Sequence, residues 1–404
     1  MTRRVVITGQ GAISALGATA KTTVDGMLEG RCAISALGFP NADRLAVGIG
    51  GQIKGYAPSE HFTRAELALF DPFTQFAVLS AREAVTQSGL AFDDALSLRS
   101  GVVLGSAGGG LQTQDENYRL VYEEGKNRVH PFVVPRLMMN AGSSQLSMIF
   151  GLRGACYTIA TACASSNHAM GQAFHAIRSG SADVMLTGGS DSMLCFGGLK
   201  AWEGLRVMSS DGCRPFCATR NGMVQGEGAA VFVFEELEHA RARGAEILAE
   251  VAGFSMTADA GDIVVPNQDG AARAISGALA DGGLSPAQVG YVNAHGTATA
   301  VNDRTEIAAL RSALGPAAEA VAVSSTKSMH GHIMGGTGAV ELLSCIAAVK
   351  DGLLAPTVNY NTPDPECDLD IVANDAREAT VDVAISNAFA FGGLNAVLAL
   401  KRFA

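Results

Sequence analysis

Charged and aromatic side chains are scarce in this chain. Of its 404 residues 17% are charged and 6% aromatic, and the only tryptophan is Trp202. Acidic residues outnumber basic ones, for a net charge of −10, so the electrostatic footprint of a nucleic-acid binder is missing. None of the eight cysteines falls in a CxxC or clustered Cys/His pattern, and Cys213 and Cys217 are the closest pair. No metal site is indicated, and free thiols in a reducing cytoplasm are expected. No apolar run has the length of a membrane span. The most apolar long stretch, 379–400, contains Asp382, Asn387, Asn395 and Gly392-Gly393, and reads as two short buried strands. Met-Thr-Arg-Arg passes directly into Val5-Val-Ile-Thr-Gly9, so a secretory leader is not expected. Ser106-Ala-Gly-Gly-Gly110 lacks the Gly-Lys-Ser/Thr ending of a phosphate-binding loop. Close backbone approach, or room for a ligand, is its expected use.

What the chain has instead is apolar residues, at 48%, and 48 glycines. Such a composition buries much surface and leaves little charge to cover a lone one, so a dimer is expected. Short β-branched runs alternate with helical periodicity. Residues 3–16 read as strand, glycine turn and helix, 68–88 as a helix, and 101–105 as a strand. Residues 111–140 are charged, contain Pro131 and Pro135, and read as an exposed excursion. The pattern restarts at Ile247, with strands at 247–255, 289–295, 322–327, 381–386 and 396–401. Helices are predicted at 270–281, 303–314 and 338–350. This alternation predicts an α/β fold, one half at residues 1–250 and the other at 251–404.

At Cys163 a strand-like run from Tyr157 meets a small-residue helical segment. Ser165, Ser166 and Asn167 follow at once, all good helix-capping residues. A cysteine at such a join faces the free N–H groups and positive end of a helix, which favours the thiolate, and a strand-to-helix turn presents its side chain to a cavity. Alone it reads as well as a small buried hydrophobe. Asn293-Ala-His295-Gly-Thr297-Ala-Thr299 places a histidine at a strand end. Thr297 and Thr299 lie two apart, so extended backbone points both hydroxyls one way, toward a polar linear ligand. Ser324-Ser-Thr-Lys327-Ser-Met-His330-Gly-His332 sets a lysine beside two histidines. His332 is expected just before a helix and His330 in an exposed loop. Glu341 lies far enough along that helix to turn back toward Lys327, as a partner or as an inconsequential surface ion pair. A cysteine and two histidines on separate strand ends suit thioester chemistry: the thiol takes an acyl group, and two neutral histidines donate to a developing enolate oxygen. A cysteine protease has no use for the second histidine and lysine.

Five motifs carry a resemblance over essentially the whole chain. They are Arg4-Val-Val-Ile-Thr-Gly, Thr161-Ala-Cys163-Ala-Ser, Asn293-Ala-His295-Gly-Thr, Lys327-Ser-Met-His-Gly-His332 and Asn387-Ala-Phe-Ala-Phe391-Gly-Gly-Leu-Asn395. The sequence resembles the β-ketoacyl-acyl-carrier-protein synthases, specifically the elongating condensing enzymes of the KAS I/KAS II group. Lys327 to His332, Leu199-Lys-Ala-Trp202-Glu and Cys367-Asp-Leu-Asp370 look most like the nodulation protein E subgroup. The resemblance implies a thiolase-like fold, two similar α/β halves in an αβαβα layered arrangement, usually homodimeric. It implies a decarboxylative Claisen condensation with malonyl-acyl-carrier protein. Cys163 would take the acyl group, and His295 and His332 would assist decarboxylation. Lys327, held by Glu341, would tune the histidines. The backbone N–H groups of Cys163 and Phe391 would form the oxyanion hole, with Phe391 as gate between half-reactions. Thr297 and Thr299 would contact pantetheine. No cofactor is implied, because substrates arrive on the phosphopantetheine arm of the acyl-carrier protein.

Departures from the family add expectations. KAS II enzymes carry a bulky Ile inside the glycine run, partway down the acyl pocket. Gly108 stands there in this chain, which implies a longer channel. Val133, where Phe is common, and Trp202 reshape the pocket further, so long or polyunsaturated chains are expected. The family's basic carrier-docking helix is matched by Thr63-Arg64-Ala-Glu66-Leu-Ala-Leu-Phe70, with one basic residue. Arg206, which matches the family, and Arg64, Lys126, Arg128 and Arg136 remain to steer an acidic carrier, which leaves room for a dedicated one. Thiolase, the nearest rival, needs a second active-site cysteine near the C-terminus, and none stands at 389–395. A catalytically silent chain-length partner subunit typically lacks the nucleophile.

Overall fold

The computed structural model describes residues 3–403. Its first strand, Val5–Ser14 (β1), runs straight through Gly9 and Gly11 instead of turning at them. A Cβ on Gly9 would stand 2.1 Å from the Ala84 carbonyl oxygen, and one on Gly11 2.0 Å from that of Ser80. The two glycines therefore seat a helix on the strand, which is why the expected turn is absent. That helix, Pro72–Ser88 (α1), starts later than its periodicity suggests. Asp71 caps it and Pro72 opens its first turn.

The other main-sheet strands of the first half are Ser100–Gly105 (β2), Cys156–Ile159 (β3), Val184–Ser192 (β4) and Glu227–Glu236 (β5). Those of the second are Ala249–Ala258 (β6), Val289–Asn293 (β7), Ala322–Ser324 (β8), Asp370–Ile371 (β9), Val383–Ala390 (β10) and Leu394–Lys401 (β11). Among the described residues they form an eleven-stranded sheet in the order β9-β8-β7-β10-β11-β6-β1-β5-β4-β2-β3. Read outward from the middle, the halves repeat one topology, β1-β5-β4-β2-β3 and β6-β11-β10-β7-β8, with short β9 added outside. They meet where Val5–Ile7 pairs antiparallel with Ala249–Val251.

The charged stretch expected as an excursion contains the helix Leu111–Tyr122 (α2) and the short helix Val133–Leu137. Helix Ser165–Arg178 (α3) follows β3, and Phe196–Gly204 (α4) follows β4. The second half contributes Gln268–Asp281 (α5), Ala300–Leu314 (α6), Lys327–His330 (α7) and Thr337–Asp351 (α8). α3 touches β2 and β4 of one half and β6 and β11 of the other, and α8 likewise touches strands of both. These two form the middle layer. α1 covers β1 and β5 from outside, and α5, packed on α6, covers β6 and β11. The result is αβαβα layering. Its middle explains α8: buried on every side from Thr337 to Val349, it is apolar around its circumference. No described helix is long and apolar enough to cross a membrane.

β2 runs parallel to β3 and β4, and β7 parallel to β8 and β10. The loops at the carboxyl ends of these strands, from both halves, carry the residues singled out above. Cys163 follows the third strand of the first half, and Lys327 and His332 follow the third strand of the second.

Candidate active site

Cys163 sits on a strained elbow. Ala162 before it has φ 48°, a left-handed conformation that a non-glycine residue adopts at a cost. Ser165 holds the elbow closed, accepting from the Thr161 N–H at 2.9 Å and donating to the Ala162 carbonyl at 2.7 Å. Burial pushes the Cys163 thiol up to about 11, against the pull of the Lys327 charge and of the Cys163 and Phe391 N–H groups. Desolvation works against the thiolate expected from the helix end and favours the thiol.

His295 follows β7. Its N–H and that of Gly296 donate to Glu306 on α6 at 2.8 and 2.7 Å, and Glu306 also accepts from Asn387 Nδ2 at 3.0 Å. Sequence reading missed Glu306. Its signal was an acid one turn after Asp303, among the apolar residues of the same helix. His332 accepts a hydrogen bond from the Met334 N–H at Nδ1, 3.0 Å away, with Thr337 Oγ1 2.9 Å from the same nitrogen. A ring nitrogen that accepts from an N–H carries no proton, so the proton lies on Nε2. Nε2 is buried and has no partner among the described residues, free to donate into the cavity. Burial, then the Lys327 charge, keeps both histidines well below the usual imidazole value. Their rings stand 5.6 Å apart at 86°. Cys163 Sγ and one nitrogen of each ring all lie within 4.8 Å of one another.

Lys327 and Glu341 are both fully buried, with Nζ 2.5 Å from the carboxylate, so the surface-pair alternative is excluded. Burial pushes Glu341 up to about 7, against the pull of Lys327. His330 corrects an expectation: it is completely buried, its Nε2 3.0 Å from Thr326 Oγ1. The backbone of Gly51 packs on it so closely that a Cβ there would stand 2.0 Å from the His330 carbonyl oxygen. Burial pushes its ring down to about 3, and it does not line the cavity.

A cavity of about 310 Å³ opens over the triad, lined also by Thr297, Thr299, Trp202, Arg206 and Phe391. The two threonine hydroxyls are 2.9 Å apart. The backbone between them is not extended, as expected, but kinked at Ala298, φ 64°. Phe391 directly follows β10 and precedes two left-handed glycines, Gly392 and Gly393. Its ring lies on that of Trp202, 6.0 Å between centroids and 25° between planes.

Gly108 and Val133 do not line this cavity. Val133 is buried in its short helix. The Gly108 N–H is bound 3.0 Å from Asp191, which also accepts from Ala107 N, Gly335 N and Ser106 Oγ. The longer channel expected from Gly108 is not open. A Cβ on Gly108 would stand 2.8 Å from both Cγ and Sδ of Met193, so another residue fills that space.

Residues 2–240 match the family description "Beta-ketoacyl synthase, N-terminal domain", and residues 248–361 match "Beta-ketoacyl synthase, C-terminal domain". Nodulation protein E of Rhizobium sp. (strain N33) is 45% identical, each chain covered in full. The 3-oxoacyl-[acyl-carrier-protein] synthase 2 of Staphylococcus aureus (strain N315) is 40% identical over 99% of each. Among solved structures, the ishigamide ketosynthase/chain length factor superposes with a TM-score of 0.94 at 33% identity, covering all of both chains.

Proposed function

The chain belongs to the β-ketoacyl synthase family, and on that premise we propose that it extends an acyl group held on Cys163 with the two-carbon unit of malonyl-acyl-carrier protein. The observation that carries this reading is the convergence of one thiol and two neutral imidazoles within 4.8 Å, with a free N–H on His332. Cys163 Sγ attacks the thioester carbonyl of an acyl-carrier. The bond to the pantetheine sulfur breaks, and that sulfur leaves with the thiol proton. The N–H groups of Cys163 and Phe391 hold the transient oxyanion. Malonyl-carrier then enters against Thr297 and Thr299. Its carboxylate departs as CO₂ while His295 and His332 donate to the enolate oxygen. The new carbanion attacks the acyl carbonyl, the bond to Cys163 breaks, the expelled sulfur takes up a proton from solvent to become the thiol again, and the β-ketoacyl group leaves on the carrier. Lys327 acts from behind: its charge disfavours imidazolium, keeping both histidines as neutral donors.

A second copy is the proposed structural partner. β3 ends the sheet with Cys156 and Tyr157 exposed. Met148 and Ile149, on the adjacent helix Ala141–Phe150, are exposed as well. An open edge beside an apolar patch suits antiparallel pairing across a twofold axis. Eight free thiols support a reducing compartment, the cytoplasm. Arg206 on the cavity wall, with exposed Val264 and Val265, supports docking of an acidic acyl-carrier protein. The silent-subunit reading is disfavoured because the thiol and both imidazoles are present and assembled.

Intact-protein mass after incubation with a panel of acyl-carriers, beside a Cys163→Ala control, tests the reading. Acyl mass on the wild type alone is expected. No acyl mass with any carrier would sink it.

A further inference from the structure

We infer that Asp191 is a positioning residue: its carboxylate bolts the His332 segment of one half to the nucleophile's half, and so sets where the His332 ring stands over Cys163. For its effect on the reaction, the inference rests on the condensing reading above.

The middle layer begins in two elbows of the same build. Ala162, φ 48°, stands three residues before α3, and Met334, φ 49°, stands three residues before α8. Both are left-handed at a non-glycine residue, a conformation that lasts only where the surroundings impose it. The next residue is Cys163 in the first elbow and Gly335 in the second. Their neighbours correspond as well. Phe391, just past β10, turns its N–H to Cys163. β4, which matches β10 in strand order, brings Asp191 to Gly335.

Asp191 is completely buried and accepts four hydrogen bonds. Three come from the loop after β2: Ser106 Oγ at 2.8 Å, Ala107 N at 2.9 Å and Gly108 N at 3.0 Å. The fourth, from Gly335 N at 2.6 Å, crosses between the halves. Backbone N–H groups can only donate, so this cradle is made for an anion. It is also tightly closed. A Cβ on Gly335 would stand 2.5 Å from Ala107 N and 2.7 Å from the Asp191 carboxylate. The loop after β2 is in turn seated on the nucleophile helix, since a Cβ on Gly105 would stand 2.3 Å from Ser166 N.

The path from this carboxylate to the imidazole is short. Gly335 follows Met334, whose N–H donates to His332 Nδ1 at 3.0 Å and so keeps the ring proton on Nε2. Releasing Gly335 lets the left-handed Met334 relax, and its N–H then leaves the ring. His332 loses both its place and its fixed proton. The first elbow does not depend on this, because Ser165 closes it from within. Loss of the Asp191 carboxylate therefore impairs decarboxylation, the step that uses His332, and spares acyl loading, the step that uses Cys163.

Asp191→Ala, with pantetheine thioesters in place of a carrier, tests this. Release of CO₂ from malonyl-pantetheine is expected to fall about a hundredfold in kcat, with KM unchanged. Loading of Cys163 by octanoyl-pantetheine, read by intact mass, is expected to keep the wild-type rate. Formate, a carboxylate small enough for the vacated cradle, is expected to restore part of the lost kcat, and chloride at equal ionic strength none of it. Asp191→Asn keeps the shape and gives up the charge. It decides if Asp191→Ala does not fold, and a smaller loss with the same split is expected of it. Equal loss in both steps, or no loss in either, would overturn the inference, as would rescue by chloride equal to that by formate. A further readout is independent of turnover. Nitrogen NMR of isotope-labelled histidine, assigned with His332→Gln, is expected to show the His332 proton fixed on Nε2 in the wild type and shared between both nitrogens in the Asp191 variants. Unmoved His332 signals would overturn the positioning role. A wild type that neither loads nor releases CO₂, with the ring signals still moved in the variants, would sink the condensing reading and leave the hold of Asp191 on the ring standing.

Discussion

Lys327→Met keeps the length of the side chain and removes its charge, and the structure sets the size of the consequence. The ammonium and Glu341 are completely buried and 2.5 Å apart. With the lysine present, burial already pushes Glu341 up to about 7; without the cation the value moves higher still. Below it the carboxyl is neutral, and the variant loses a hydrogen bond, about 1–3 kcal/mol. Above it an ionised carboxylate is left uncompensated, about 3–5 kcal/mol. The folded value lies above the unfolded one, so this group's contribution is complete at low pH and is lost as pH rises through the folded value. The deficit against wild type should widen by roughly 2 kcal/mol between pH ~6 and pH ~9. Urea midpoints of the two proteins at each pH measure it. Activity supplies an independent readout. The Lys327 charge helps hold His295 and His332 low, so in the variant imidazolium forms at higher pH. The acid limb of malonyl decarboxylation, followed by CO₂ release, should move upward. An equal deficit at both pH values together with an unmoved acid limb would refute the buried-pair reasoning.

Other expectations follow from single contacts. Trp202 is the sole tryptophan and stacks on Phe391, so acylation of Cys163 that displaces the gate should change the intrinsic emission; Phe391→Ala should abolish the change, and an identical response in both proteins would disconnect the stack from the gate. Cys163 Sγ and a ring nitrogen of His295 are close enough to share a soft divalent ion, whereas His332 Nε2 keeps its proton. Zinc should inhibit acyl loading, reversibly by chelator and more strongly as pH rises, because the thiol must lose its proton to ligate; inhibition that weakens with pH would contradict this. Tyr157→Asp on the open edge of β3 should convert a dimer into a monomer by light scattering, and an unchanged mass would place the interface elsewhere.

How much could be read from the chain varied residue by residue. Cys163, His295, Lys327, His332 and Glu341 were legible because short motifs announce them, although Cys163 and His332 meet only through the fold. The duplication was legible only as a restart of the strand-helix pattern at Ile247, not residue by residue, because corresponding strand ends carry different residues: a thiol follows the third strand of one half, a lysine and a histidine that of the other. Glycine misled twice. At Gly9 and Gly11 it marks close approach of α1 to a continuing strand, and a strand passing under a helix looks locally like a turn. At Gly108 a missing side chain says nothing of its filler, and Met193 lies far away in sequence. His330 stands among polar residues and glycine, a loop composition, but Gly51 and Gly226 pack over it. The thiolate expectation weighed the helix end without the desolvation that only the folded chain reveals.

The seam between the halves has a consequence of its own. The Cys163 thiol belongs to one half and the His295 and His332 imidazoles to the other, so their spacing measures how the halves sit together. A tilt of about one ångström changes no helix and no strand, yet a misplacement of that size costs on the order of a hundredfold in rate. Turnover is thus the finest gauge of global integrity this molecule offers. On warming, activity should disappear while circular dichroism still reports an intact protein.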